Sequence, residues 1–145
     1  TGLGKATIAI AGTKLNPGTS ALTLKYSGTG TIAPSQAAAK NIVVGKAIST
    51  TVGKIYKTPI RKSVAPKILV TVKAPGVLKP TGVIRIYVGS KLLKTVTLTA
   101  ANNGKVLITL PKFRAAGTYK LVAKYAGSSF VGASNGKPVS IKITN

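Results

Sequence analysis

Apolar and polar residues alternate with a period of two through much of the chain, and the clearest run is Gly104 to Gly127. Val106, Ile108 and Leu110 alternate with Lys105, Leu107 and Thr109. Beyond the Pro111–Gly117 connection, Tyr119, Leu121, Ala123 and Tyr125 alternate with Lys120, Val122 and Lys124. Such alternation, bounded by Gly and Pro, predicts half-buried antiparallel strands, because successive side chains of a strand point to opposite faces of its sheet. Gly4 to Gly28 carries the same pattern. Gly-Lys opens both copies, Gly-Thr begins the second strand of each (Gly18-Thr19, Gly117-Thr118), and Lys-Tyr-x-Gly closes it (Lys25-Tyr26, Lys124-Tyr125). The chain is therefore a repeat whose first copy lacks its front half.

Residues 1–45 predict three strands, Lys5–Ala11, Ala21–Ser27 and Asn41–Val44, with a small-residue loop from Gly28 to Ala39 and a turn at Thr1–Gly4. Three strands seldom close a sandwich, and a bare edge invites pairing. This partial repeat must lean on the next domain, on another chain or on further strands of its own repeat. Strand pairing through residues 1–45 would set an oligomeric state that the pattern leaves open.

Residues 46–145 predict a complete domain. Ser49–Val52 opens it as an edge strand, since Pro59 and Pro66 beyond it cannot donate to a central ladder. Lys67–Lys73 alternates most cleanly, with Ile68, Val70 and Val72 facing one way. Ala74–Gly82 is a loop by its Pro and Gly residues. Val83–Val88 and Leu92–Thr99 form a hairpin around Gly89-Ser90, and Asn102-Asn103-Gly104 is a turn. Gly127–Lys137 is a loop anchored by Phe130, and Val139, Ile141 and Ile143 face inward from a last strand. About seven strands with turns every eight to twelve residues, and no helical periodicity, predict an all-β, immunoglobulin-like antiparallel sandwich preceded by a partial repeat. An up-and-down barrel is the alternative. Tyr125 is expected at the sandwich corner with Tyr26 as its counterpart, Tyr119 and Phe130 in the core, and Tyr56 and Tyr87 as the aromatics available to a ligand.

Composition then narrows the chemistry. The 145-residue chain holds no Asp, Glu, His, Cys or Met, and 22 Lys plus Arg give a net charge of +22. Average usage would supply roughly 12% acidic residues, so selection or engineering removed them. With no Met, the chain is expected to be an excised segment without its leader. The 44% hydrophobic content separates it from disordered polycations, and no apolar run approaches a membrane span of roughly 18 residues. The usual general acids and bases are missing, so that only a Ser-Lys dyad is formally possible, and Zn, Ca and Mg find no side-chain carboxylate, imidazole or thiolate ligands. No enzymatic role, metal or cofactor is expected. The absence of cysteine permits an extracytoplasmic location without requiring it.

Residues 46–145 resemble the bacterial Ig-like repeats of secreted and surface proteins, especially those of Gram-positive actinobacteria. The resemblance rests on Ser49-Thr50-Thr51, Pro80-Thr81-Gly82-Val83-Ile84-Arg85-Ile86, Gly104-Lys105, Ala115-Ala116-Gly117-Thr118-Tyr119, and Tyr125-Ala126-Gly127 followed by Phe130. It implies a module of a larger secreted or cell-wall-associated protein, a spacer or attachment domain without an enzymatic role. That family usually places an acidic residue after Tyr-x-Gly, where Thr29 and Ser128 stand here, and others near Val88-Gly89. Any calcium-dependent stiffening between repeats would be lost with them.

In a sandwich, the outward side chains of three neighbouring strands would make one basic face: Arg85 and Tyr87, Lys120 and Lys124, and Lys142. Any single lysine there reads most simply as a solvated outer position. Without acids to balance the set, however, the face suits polyanions: DNA or RNA, or a teichoic-acid-type wall polymer. An anionic membrane surface is a further candidate, though no amphipathic helix argues for it. Sequence-specific readout is not expected, with three Arg and no recognition helix or stacking platform. The alternatives are a structural spacer or stalk repeat whose charge serves solubility or acid tolerance, and an engineered supercharged scaffold.

Overall fold

The computed structural model describes residues 4–11 and 15–145. The turn expected at Thr1–Gly4 lies, Gly4 apart, outside them. The chain divides into two compact units, Thr1–Gly45 and Lys46–Asn145.

The first unit holds β1 (Gly18–Leu22), β2 (Lys25–Tyr26), β3 (Ser35–Gln36) and β4 (Lys40–Val44). β1 pairs antiparallel with β4, and β2 with β3. The strand expected at Lys5–Ala11 is not formed: these residues are extended neither in a ladder nor under cover, and all of them are exposed. Alternation makes a strand only where a neighbour takes up the backbone donors and acceptors. The corresponding segment of the second unit, β10, has that neighbour in β7, and the described residues of the first unit contain no counterpart of it. The strand expected at Ala21–Ser27 is likewise split at Thr23-Leu24, and the Gly28–Ala39 loop contains β3.

The second unit holds β5 (Thr50–Ile55), β6 (Ile60–Arg61), β7 (Lys67–Lys73), β8 (Gly82–Val88), β9 (Lys91–Leu98), β10 (Lys105–Thr109), β11 (Gly117–Tyr125), β12 (Ser134–Asn135) and β13 (Val139–Thr144). One sheet runs β10-β7-β5 and the other β6-β13-β11-β8-β9, with β12 also on β11. The pairs are antiparallel except β6 on β13. β5 is an edge, as its flanking prolines predict. The core between the sheets is built from the inward alternates: Ile68, Val70 and Val72 of β7, Ile84 and Ile86 of β8, Leu121 and Ala123 of β11, Ile141 and Ile143 of β13. Each large aliphatic side chain fully buried in this way contributes about 1.5–3 kcal/mol. This is an immunoglobulin-like β-sandwich.

β5 contributes small residues to the interior. Thr51 and Gly53 point inward, and a Cβ on Gly53 would stand 3.2 Å from Ile68 Cδ1. A hydroxyl chain ties this edge to the other sheet: Ser49 Oγ donates to the Gly132 carbonyl at 2.6 Å, and Ser134 Oγ lies 2.7 Å from both Ser49 Oγ and Thr51 Oγ1. The Ser49-Thr50-Thr51 motif is thus a clip between β5 and β12.

Tyr125 is the corner tyrosine. Its ring is buried and its hydroxyl donates to the Thr81 carbonyl at 2.5 Å. Tyr119 packs against the core beside Phe113, with ring centroids 4.5 Å apart, and donates to the Ala115 carbonyl at 3.0 Å. Phe130 is not core. It is 49% exposed, whereas its neighbour Val131 is 1% exposed and fills the place expected for it. Ser128 sets this register: its Oγ accepts from the Val131 amide at 3.2 Å, and its amide donates to the Val131 carbonyl at 2.8 Å.

The two units share one pairing scheme, displaced by 99 residues. Gly18↔Val44 and Leu22↔Lys40 become Gly117↔Ile143 and Leu121↔Val139. Lys25↔Gln36 and Tyr26↔Ser35 become Lys124↔Asn135 and Tyr125↔Ser134. Gly28 and Gly127 both turn the chain in the left-handed region, at φ 83° and 84°.

A cationic sheet face as candidate functional site

The register of the larger sheet decides which charges meet. β11 pairs with β8 so that Lys124 stands directly opposite Arg85, and Val122 opposite Tyr87. β11 pairs with β13 so that Lys120 stands opposite Ser140, and Thr118 opposite Lys142. Partners across a ladder share a face, so Arg85, Tyr87, Lys120, Lys124 and Lys142 all belong to the outer face of this sheet. Lys120 and Lys142 occupy diagonal positions on it. The four cations are exposed, while Tyr87 is half-buried.

Tyr87 lies beneath the charge. Lys124 Nζ is 5.0 Å from its ring centroid, a cation–π distance that holds the ammonium in place over the sheet. The ring therefore supports Lys124 and is only partly open to a ligand.

Parallel pairing of β6 with β13 puts Arg61 opposite Thr144 on this same outer face. Arg61 extends the cationic set by one, and the alternation pattern does not reveal it: Ile60-Arg61 is too short to show a period and is set between Pro59 and Pro66. Its position is fixed by the pairing with β13 and by the Lys142 amide, which donates to Thr58 Oγ1 at 3.0 Å. Beside it is a groove of about 540 Å³ lined by Tyr56, Lys57, Pro59, Ile60, Arg61 and Val64 among others. Tyr56, 73% exposed, is the more open of the two aromatics considered for ligand contact.

No side-chain carboxylate exists in the sequence to neutralise any of these groups. Along β11, Lys120 and Lys124 are about 13–14 Å apart at the usual strand rise, with Arg85 beside one and Lys142 diagonal to the other. Like charges opposite one another on neighbouring strands are destabilising, so the face carries repulsion that a bound anion would relieve. Among the described residues no cluster of metal-ligating side chains occurs, and no helix is long and apolar enough to cross a membrane.

The sequence model of the bacterial Ig-like domain, group 3, matches residues 56–144. The chain belongs to this family of bacterial Ig-like domains. Domains of this family are typically non-catalytic structural modules, often extracellular or surface-associated. Comparison with curated proteins and with solved structures gives no match.

Proposed function

We propose that the second unit is a cationic module of a secreted or wall-associated protein that holds its parent to a polyanion, nucleic acid or a teichoic-acid-type polymer, by diffuse electrostatics. The observation that carries this reading is the juxtaposition of Arg85, Lys124, Lys120 and Lys142 on one sheet face in a chain without a single acidic residue. Phosphate polymers exchange their condensed counterions for such cations, and the released ions drive binding without base-specific contacts.

The test compares two sets of neutralising substitutions in the full chain. One is Arg85→Gln with Lys120→Gln, Lys124→Gln and Lys142→Gln. The other removes four outward charges from the smaller sheet, Lys54→Gln, Lys67→Gln, Lys73→Gln and Lys105→Gln. Binding to double-stranded DNA and to poly(glycerol phosphate) is measured at 150 mM NaCl. The face reading expects the first set to abolish binding and the second to weaken it modestly. Equal losses would show attraction by net charge alone.

The second reading is a spacer in a repeat array, whose charge serves solubility. The pairing scheme repeated at 99 residues favours it. Negligible binding of the unmodified chain at 150 mM would select it.

A further inference from the structure

The groove beside Arg61 is walled by both sheets of the second unit. On one side Tyr56 continues β5: its amide donates to the Lys67 carbonyl at 3.1 Å, one residue beyond the Ile55↔Ile68 pair. On the other side β6 lies along the end of β13, with Arg61 opposite Thr144. The chain between these walls is pinned by its backbone. The Lys62 amide donates to the Thr144 carbonyl at 2.8 Å, the Val64 amide to the Arg61 carbonyl at 2.9 Å, and the Leu110 amide to the Pro66 carbonyl at 2.8 Å. The groove is therefore preformed, as small-ligand sites usually are.

Its lining joins two chemistries. Tyr56 is 73% and Val64 51% exposed, with Pro59 open beside them. Lys57, Arg61 and Lys67 line the same groove, and all three are exposed. The sequence holds no side-chain carboxylate to neutralise them. An open aromatic ring among such cations is complementary to a ligand that is planar in one part and anionic in another. The volume, about 540 Å³, is that of an ordinary small-ligand site.

We propose that this groove receives an unpaired base of single-stranded nucleic acid, stacked on Tyr56, with the adjoining phosphate on Arg61. The inference rests on the polyanion reading of the sheet face and selects nucleic acid within it. Continuity between groove and face carries the argument. Arg61 belongs to both, and Lys142 lies diagonal to it, two residues before Thr144 on β13. A strand leaving the groove along the sheet meets Lys142 and then Lys120, itself diagonal to Lys142. A glycerol phosphate polymer would satisfy these cations but has no ring to place on Tyr56. Every base has a π-face, so a single stacking tyrosine tolerates any sequence. The bases of a duplex are already stacked on one another, which leaves Tyr56 nothing to receive.

The experiment measures affinity of the full chain at about 50 mM NaCl for four probes. They are an oligothymidylate of about 12 nucleotides, an abasic oligomer with the same number of phosphates, a DNA duplex and poly(glycerol phosphate). The oligothymidylate should bind about tenfold more tightly than the abasic oligomer. Tyr56→Ala should remove that advantage while leaving Tm, abasic binding and duplex binding unchanged. Tyr56→Phe, which keeps the ring, should retain it. Equal affinity for the oligothymidylate and the abasic oligomer would overturn the groove assignment alone, and so would equal losses on all probes in Tyr56→Ala. Poly(glycerol phosphate) bound as tightly as the oligothymidylate, with both weakened by Tyr56→Ala, would overturn it in favour of a wall polymer. Failure of the abasic oligomer, the duplex and poly(glycerol phosphate) to bind at all would instead overturn the polyanion reading of the face.

Discussion

Arg85 and Lys124 face each other across the β8–β11 ladder, and reversing one of them should separate stability from binding. In Arg85→Glu the cross-strand repulsion becomes an attraction. Taking the charge centres as about 7 Å apart in water, each term is about 0.6 kcal/mol before screening. The swing is then about 1 kcal/mol at 10 mM salt, where the Debye length is about 30 Å, and about 0.5 kcal/mol at 150 mM, where it is about 8 Å. These values lie within the range measured for cross-strand charge pairs. For a unit of this size, 1 kcal/mol is about 4–8 °C in Tm. Thermal unfolding followed by circular dichroism should therefore show Arg85→Glu raised by about 4–8 °C at 10 mM and by about half that at 150 mM. Arg85→Gln, which removes repulsion without adding attraction, should fall between the two proteins. Binding should move the other way, because the face loses a phosphate contact and gains a repulsion. The magnitude of the DNA salt slope should drop by about 1. An unchanged or lower Tm for Arg85→Glu at 10 mM would refute the cross-strand repulsion on which this reasoning rests.

Other consequences concern the architecture. Tyr125→Phe removes the bond to Thr81 at a buried corner and should cost about 1–2 kcal/mol, whereas Tyr26→Phe should leave the melting curve unchanged; equal effects would contradict the different surroundings of the two tyrosines. Ser134→Ala breaks the hydroxyl chain linking Ser49 and Thr51 and should cost about 1–2 kcal/mol in urea unfolding with an unchanged m-value. With no Asp, Glu or His, no side chain titrates between about pH 3 and pH 7. Stability should thus be flat there, because proton linkage has no side chain to act on; a cooperative acid transition near pH 4 would contradict this.

The sandwich was legible because its longer strands carry both halves of the period-two signal. β7, β10 and β11 alternate over five or more residues, and their inward members are the buried ones. The basic face was legible for the same reason, since outward positions on β8, β11 and β13 follow once those strands are neighbours. Four features lay beyond such reasoning. Lys5–Ala11 alternates, yet a strand also needs a partner, which no local pattern supplies. Phe130 and Val131 are adjacent apolar residues in a loop, and the Ser128 hydrogen bonds together with the bridge from Ala47 decide that the smaller one is buried. Arg61 joins the face through a parallel two-residue pairing with β13, a long-range contact with no signature in its own sequence. The inward face of β5 was hidden too, because Thr51 and Gly53 are not apolar in the usual sense, although both are buried.

The most direct test of the cationic face as a polyanion anchor is the salt dependence of binding to double-stranded DNA, measured by fluorescence anisotropy between 50 and 200 mM NaCl. Five contacts, from Arg61, Arg85, Lys120, Lys124 and Lys142, predict a slope of roughly −4.5 in log K against log salt, hence a loss of several hundredfold over that range. The variant neutralised at Arg85, Lys120, Lys124 and Lys142 should retain a slope near −1. A slope near −4.5 that survives those four substitutions, or no measurable binding of the unmodified chain at 50 mM, would contradict the assignment of this face.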